Sequence, residues 1–123
     1  MENSNTPPER TPVAVESVEQ LSEIYSKNCV KVVHATLDSC KACGRLKREI
    51  GPELDVDVEW VSVSVEDVEG AQEQMNCSAL PRIDIVSAHG TVTALSGFDC
   101  TREAVLEAVK RAKSHVLVLD EDF

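Results

Sequence analysis

The sequence is poor in aromatic residues: one Trp, one Tyr and two Phe make up 3% of its 123 residues. At 42% hydrophobic content it can still build a core, but one of Val, Leu, Ile and Ala. Basic residues are scarce as well, 12 Lys and Arg against 22 Asp and Glu, for a net charge of −10. That balance argues against a nucleic-acid binder, which needs a basic face, and the acidity reads as a source of solubility. No apolar run is long enough to span a bilayer, so no membrane association is expected. The N-terminus shows neither a charged-then-apolar signal pattern nor an Arg-rich, acid-poor presequence. Five cysteines, an odd number without regular spacing, do not make a secreted disulfide scaffold. The expected setting is a reducing intracellular compartment, the cytoplasm first and the mitochondrial matrix second.

The length supports one domain. Residues 1–12, with Pro7, Pro8 and Pro12 among Asn, Ser, Thr and Glu, read as a disordered tail. A domain over 13–119 follows, and 120–123 form a short acidic tail. Val13-Ala14-Val15 is a strand candidate, and Ser17 caps a helix with Val18, Leu21, Ile24 and Tyr25 on one side. Cys29 to Leu37 is a central strand, apolar on both faces. A helix from the Cys40-Lys41-Ala42-Cys43 motif runs to about Ile50. A strand follows over Val56 to Val65, then a helix over Glu66 to Met75 that Gly70 weakens. Pro81 opens a strand at Arg82 to Ser87, and His89-Gly90 turns the chain into another at Thr91 to Leu95. Thr101 caps a last helix with Val105, Ala108, Val109 and Ala112 on its buried stripe; Val116 to Leu119 either extends it or packs as a tail. The order β-α-β-α-β-α-β-β-α predicts an α/β fold, a parallel sheet with an antiparallel pair at its edge.

In order along the chain come a Cys-x-x-Cys at a strand-to-helix junction, Pro81 opening a strand 41 residues after Cys40, and Gly97 late in the next hairpin. Met75 to Val86 is similar to a stretch ending in Ile-Pro-Thr and a strand, and Ser87 to Val92 matches the hairpin after it. On these residues the sequence, over about 13 to 115, resembles the thioredoxin family. The resemblance implies a thioredoxin fold, a central mixed sheet of about five strands flanked by four helices. It also implies a cis Pro81 facing the motif, Leu80 offering backbone groups to an extended substrate, and Gly97 bordering the same surface. The departures lie around the thiols. The family's Trp-Cys-Gly-Pro-Cys is here Ser39-Cys40-Lys41-Ala42-Cys43, His34 replaces a buried Asp, and Arg48 stands near a missing mid-helix Pro. A glutaredoxin shares the motif and the Pro but lacks the leading β-α unit.

Cys40, at a helix N-terminus, has its thiolate favoured by unpaired N–H groups and the helix dipole. Lys41 is the nearest cation and lowers its pKa further. Cys40 would attack a substrate disulfide and Cys43 would resolve the mixed disulfide; the alternative is a pair of inert core thiols. His34 shares a strand face with Val32 and Thr36. It is either a base for Cys43 or a core histidine satisfied by a polar neighbour. Cys29 reads as a buried apolar group, Cys77 and Cys100 as candidate accessory thiols. Two cysteines without a second motif do not make a zinc site, and no cofactor is expected. The function expected is protein thiol-disulfide exchange by a monomer, acting on protein disulfides and re-reduced by a reductase or a small dithiol. The alternative is a redox-regulated holdase that binds client polypeptides.

Overall fold

A computed structural model describes residues 10–121, of which 115–121 as helical backbone alone. The elements are β1 (Val13–Val15), α1 (Val18–Tyr25), β2 (Lys31–Thr36), α2 (Lys41–Ile50), β3 (Glu59–Ser64), α3 (Ala71–Gln74), β4 (Arg82–Val86), β5 (Val92–Ser96) and α4 (Arg102–Glu121). Single 3₁₀ turns follow α2 at Gly51–Glu53 and β5 at Gly97–Asp99. The Ser17 hydroxyl caps α1 by accepting the Gln20 N–H at 3.1 Å, and Thr101 does the same for Ala104 at 3.2 Å. Of the two alternatives for Val116 to Leu119, the helix extension is the one present, in α4. Of the two predicted tails, residues 1–9, 122 and 123 lie outside the described residues. Arg10 is described: its guanidinium donates to the carbonyls of Asp55, at 2.6 Å, and Val58, and lies 6.0 Å over the Trp60 ring.

The five strands are ordered β1-β3-β2-β4-β5, with β1, β3 and β2 parallel. The expected antiparallel edge pair is present, but β4 itself also runs against β2. The segment between β3 and β4 also differs from expectation. The expected Glu66–Met75 helix is reduced to four residues, because Gly70 in the left-handed region (φ 86°) sets its start. The chain re-enters the sheet where β3 left it. Val63 and Arg82 both sit level with Ala35, and β4 descends from there. The predicted start of β3 is corrected too: Val56 is 94% exposed, in a turn closed by the Val58 N–H to the Asp55 carbonyl at 3.1 Å.

Strand alternation divides the core in two. Val32, Trp60, Ile83 and Ile85 face α2 and α4, meeting Leu46, Ile50, Val105 and Val109. Val15, Val33, Ala35, Val61 and Val63 face α1 and α3, meeting Leu21, Ile24 and Met75. Each buried aliphatic side chain contributes about 1.5–3 kcal/mol. On the α1 side, Tyr25 donates to Asp84 at 2.5 Å and Arg82 Nε pairs with the same carboxylate at 2.7 Å. Arg82 also donates to the carbonyls of Met75 (2.7 Å) and Asn76 (3.1 Å). This network fastens the segment that leads into Pro81. The buried Lys31 ammonium donates to the carbonyls of Tyr25, at 3.2 Å, and Lys27, satisfying the end of α1.

Candidate active site at the start of α2

β2 ends at Thr36, and a turn closed by the Cys40 N–H to the Leu37 carbonyl at 3.1 Å delivers Cys40 to the α2 N-cap. Its Sγ accepts the Cys43 N–H at 3.1 Å, the bond a Ser or Asp oxygen makes at an ordinary cap. Cys40 and Cys43 form a disulfide across a Cα–Cα distance of 5.3 Å, within the range such a bond requires. The two sulfurs differ in surroundings. Cys40 is partly exposed, with Lys41 exposed next to it, whereas Cys43 is fully buried with Leu46 and Ile50 on the inner side of α2. No acidic residue sits in the first turn of α2 to oppose a thiolate there.

His34 lies in the sheet layer that α2 covers, between Ser62 of β3 and Ile83 of β4 in register. It is wholly buried, and neither ring nitrogen has a hydrogen-bond partner among the described residues. The polar neighbour that a structural role would call for is not found among the described residues. Burial first, and the Lys47 charge second, push its pKa down to about 4, so the imidazole is neutral near pH 7.

Beside the motif a groove of about 750 Å³ collects Ala42, Arg45 and Leu46 from α2, Ala79, Leu80 and Pro81 from the loop before β4, and Gly97, Phe98 and Cys100 after β5. The Leu80–Pro81 peptide is cis, and the Gly97 N–H donates to the Pro81 carbonyl at 2.9 Å, with Gly97 at φ +61° where a side chain would strain the backbone. Leu80, Pro81 and Gly97, far apart in sequence, thus meet against α2. Phe98 was not singled out from the sequence, yet it stands fully exposed in the groove wall. Its signal was a scarce aromatic directly after Gly97. Cys77 and Cys100 are both buried, and burial pushes the Cys100 thiol up to about 11, which leaves it a poor nucleophile. Cys29, expected to be buried, is partly exposed where the turn after α1 precedes β2. Among the described residues no three His, Cys, Asp or Glu side chains cluster as metal ligands.

The sequence matches no family model and no curated protein. The structure matches many solved thioredoxins. Thioredoxin from Malassezia sympodialis aligns at a TM-score of 0.74 with 15% identity, covering 90% of this chain and 98% of that one. Chloroplastic thioredoxin z aligns at 0.70 with 24% identity, covering 85% and 96%. Thioredoxin from Trypanosoma brucei brucei aligns at 0.68 with 19% identity, covering 90% and 95%. These likenesses establish the thioredoxin fold. Within it, the chain carries a Cys-x-x-Cys disulfide at the start of α2.

Proposed function

We propose that this chain is a divergent thioredoxin that exchanges disulfides with polypeptide substrates through Cys40 and Cys43. The observation that carries the reading is the asymmetric pair itself: one sulfur at a helix N-terminus beside a groove, its partner enclosed behind it. In the reduced form the Cys40 thiolate attacks one sulfur of a substrate disulfide. A mixed disulfide forms, and the departing substrate thiolate takes up a proton. Cys43 then loses its proton and attacks Cys40 Sγ, which releases the second substrate thiolate. Two electrons and two protons pass to the substrate, and the Cys40–Cys43 bond remains. A reductase or a small dithiol reverses that oxidation. Lys41 favours the Cys40 thiolate, and the backbone of Leu80 with Pro81 and Gly97 aligns an extended substrate. His34 is assigned the Cys43 proton. A neutral imidazole can accept it, but a pKa near 4 against an ordinary thiol near 8.5 makes the transfer uphill by about 6 kcal/mol. His34 is thus a weak base acting within a short-lived intermediate. Three cysteines outside the pair remain free, which suits a reducing compartment.

Cys43→Ser should accumulate a mixed disulfide on Cys40 that mass spectrometry detects, and Cys40→Ser should abolish exchange. A Cys43→Ser protein that traps no substrate, while wild type reduces insulin, would overturn these roles. The second reading, a holdase, is favoured by the exposed Phe98 beside an apolar groove. Slow insulin reduction together with suppressed aggregation of a heated client would select it, and rapid Cys40-dependent reduction would exclude a pure holdase.

A further inference from the structure

The helix that carries the thiols also carries a basic stripe that takes part in no ion pair among the described residues. Lys41, Arg45 and Arg48 are spaced four and three residues apart, so they form one stripe along α2. All three are exposed, and among the described residues none of them is in an ion pair. Most other cations are engaged, Lys27 with Glu59, Arg82 with Asp84, Arg102 with Glu53, Arg111 with Glu107, and Lys113 with Asp55, while Lys47 and Lys110 share the stripe's lack of an ion pair among the described residues. A chain with net charge −10 has acids to spare, yet it leaves this stripe open beside Cys40.

Range decides which charge a partner feels at the site. At about 0.1 M salt the screening length is about 10 Å. Distant acids are then largely screened from Cys40; the exposed Asp38 and Glu49 are close enough to offset part of the stripe, which keeps three cations against these two acids. From Lys41 to Arg48 the helix advances about 10 Å, the length of about three residues of extended chain. The groove alongside, which Arg45 of the stripe lines together with Glu49, Arg102 and Glu103, adds apolar contact from Ala42, Leu80 and Phe98.

Resting on the exchange reading above, we propose that the preferred substrate is an acidic polypeptide segment. It is extended, places an apolar side chain beside its disulfide cysteine, and carries Asp or Glu within about four residues of that cysteine. A nucleic acid fits less well, because a long polyanion would also lie against the acidic remainder of the surface.

The test uses the reduced full-length chain and three peptide disulfides that share one apolar residue beside the cysteine and differ in three flanking Asp, Asn or Lys residues. Rate constants for exchange are measured by acid quenching and chromatography. At 0.1 M salt the Asp peptide should react about tenfold faster than the Asn peptide, at the lower end of electrostatic steering. The ratio should fall to about one at 1 M salt. Arg48→Glu should lower the Asp-to-Asn ratio several-fold, and Arg48→Lys should keep it. Because the ratio is taken within each variant, a general loss of activity cancels. Equal rates for all three peptides would overturn the acidic-substrate inference and leave exchange standing. No exchange with any peptide would overturn both readings. Arg48-dependent retention of a single-stranded oligonucleotide, without a peptide preference, would reassign the stripe and also overturn the inference.

Discussion

Replacing His34 by leucine tests the energetics of the site more directly than any cysteine variant. In the native fold His34 is completely buried and both of its nitrogens lack partners among the described residues. An unmade buried hydrogen bond costs about 1–3 kcal/mol, and leucine fills a similar volume with no polar atom to satisfy. At neutral pH the variant should therefore be more stable by about 1–3 kcal/mol. The second effect is on pH. His34 titrates at about 4 when folded, and at about 6.5 in an unfolded chain. Its folded pKa is the lower, so the unfolded state binds the proton more readily. Stability is thus complete above pH 6.5 and is lost as pH falls from there toward 4. The whole window is worth about 3 kcal/mol, and about 2 kcal/mol of it falls between pH 7.5 and 5.0.

Urea unfolding of both proteins at pH 7.5 and 5.0 reads this out. Carboxylates titrate in both chains and cancel, so the wild type should lose about 2 kcal/mol more than His34→Leu across the interval. That corresponds to a difference in midpoint shift of about 1 M. Parallel pH responses, or an imidazole signal for His34 that titrates near 6.5, would refute the reasoning. The variant also separates stability from chemistry. Should His34 take the Cys43 proton, resolution of the mixed disulfide will slow as the fold gains stability, the trade-off of a buried functional group. A more stable protein that resolves at the wild-type rate would remove His34 from the chemistry.

Arg82→Met should destabilise the chain by about 3–5 kcal/mol. Among the described residues it leaves the Asp84 carboxylate (side chain 4% exposed) with Tyr25 alone as a side-chain partner and frees the Met75 and Asn76 carbonyls; a thermal unfolding midpoint within 2 °C of wild type would contradict that role. Gly51→Ala should cost about 1–3 kcal/mol through crowding. The new Cβ would stand 3.0 Å from the Arg10 carbonyl oxygen and 3.3 Å from the Trp60 ring. Since Gly51 has an ordinary helical φ of −51°, an unchanged stability would mean that the Arg10 segment yields freely.

The element order was legible because each element carries its own local signal. Ser17 and Thr101 are side-chain caps, β2 is a continuous apolar run, and Gly51-Pro52 ends α2. The misreadings arose where length or long-range closure decided the outcome. Val56 continues an alternating apolar pattern, but Asp55 and Asp57 place it in a turn. The direction of β4 depends on where the chain re-enters the sheet after β3, which hydrophobic periodicity does not report. At the site, Cys40, Cys43 and Pro81 were readable from spacing and family resemblance. Phe98, the isolation of His34 and the Arg82–Asp84–Tyr25 network were not. Each depends on which residues are neighbours in the sheet, and a single sequence carries no pairing information between β2, β3 and β4.

The residues that depart from the thioredoxin motif fall on both sides of the disulfide, and they act on the two sulfurs in different ways. On the exposed side, Ala42 stands where the family has a proline. A proline has no N–H to offer, whereas the Ala42 N–H is one of the four donors that an α-helix leaves unpaired at its start. Of those four, the Cys43 N–H already reaches Cys40 Sγ and the Cys40 N–H reaches the Leu37 carbonyl at 3.1 Å. With Lys41, Arg45 and Arg48 adding cations on the same side, the outer environment favours negative charge on Cys40 and on the substrate segment beside it. On the buried side the change runs the other way. A carboxylate has been replaced by an imidazole that burial keeps neutral at ordinary pH. It adds no negative charge that would raise the cost of forming the Cys43 thiolate, and it is a poor acceptor for the proton. If the exchange reading holds, this combination favours the first step, attack by Cys40, over the second, resolution by Cys43, and single-turnover kinetics with a peptide disulfide should then find resolution slower than attack.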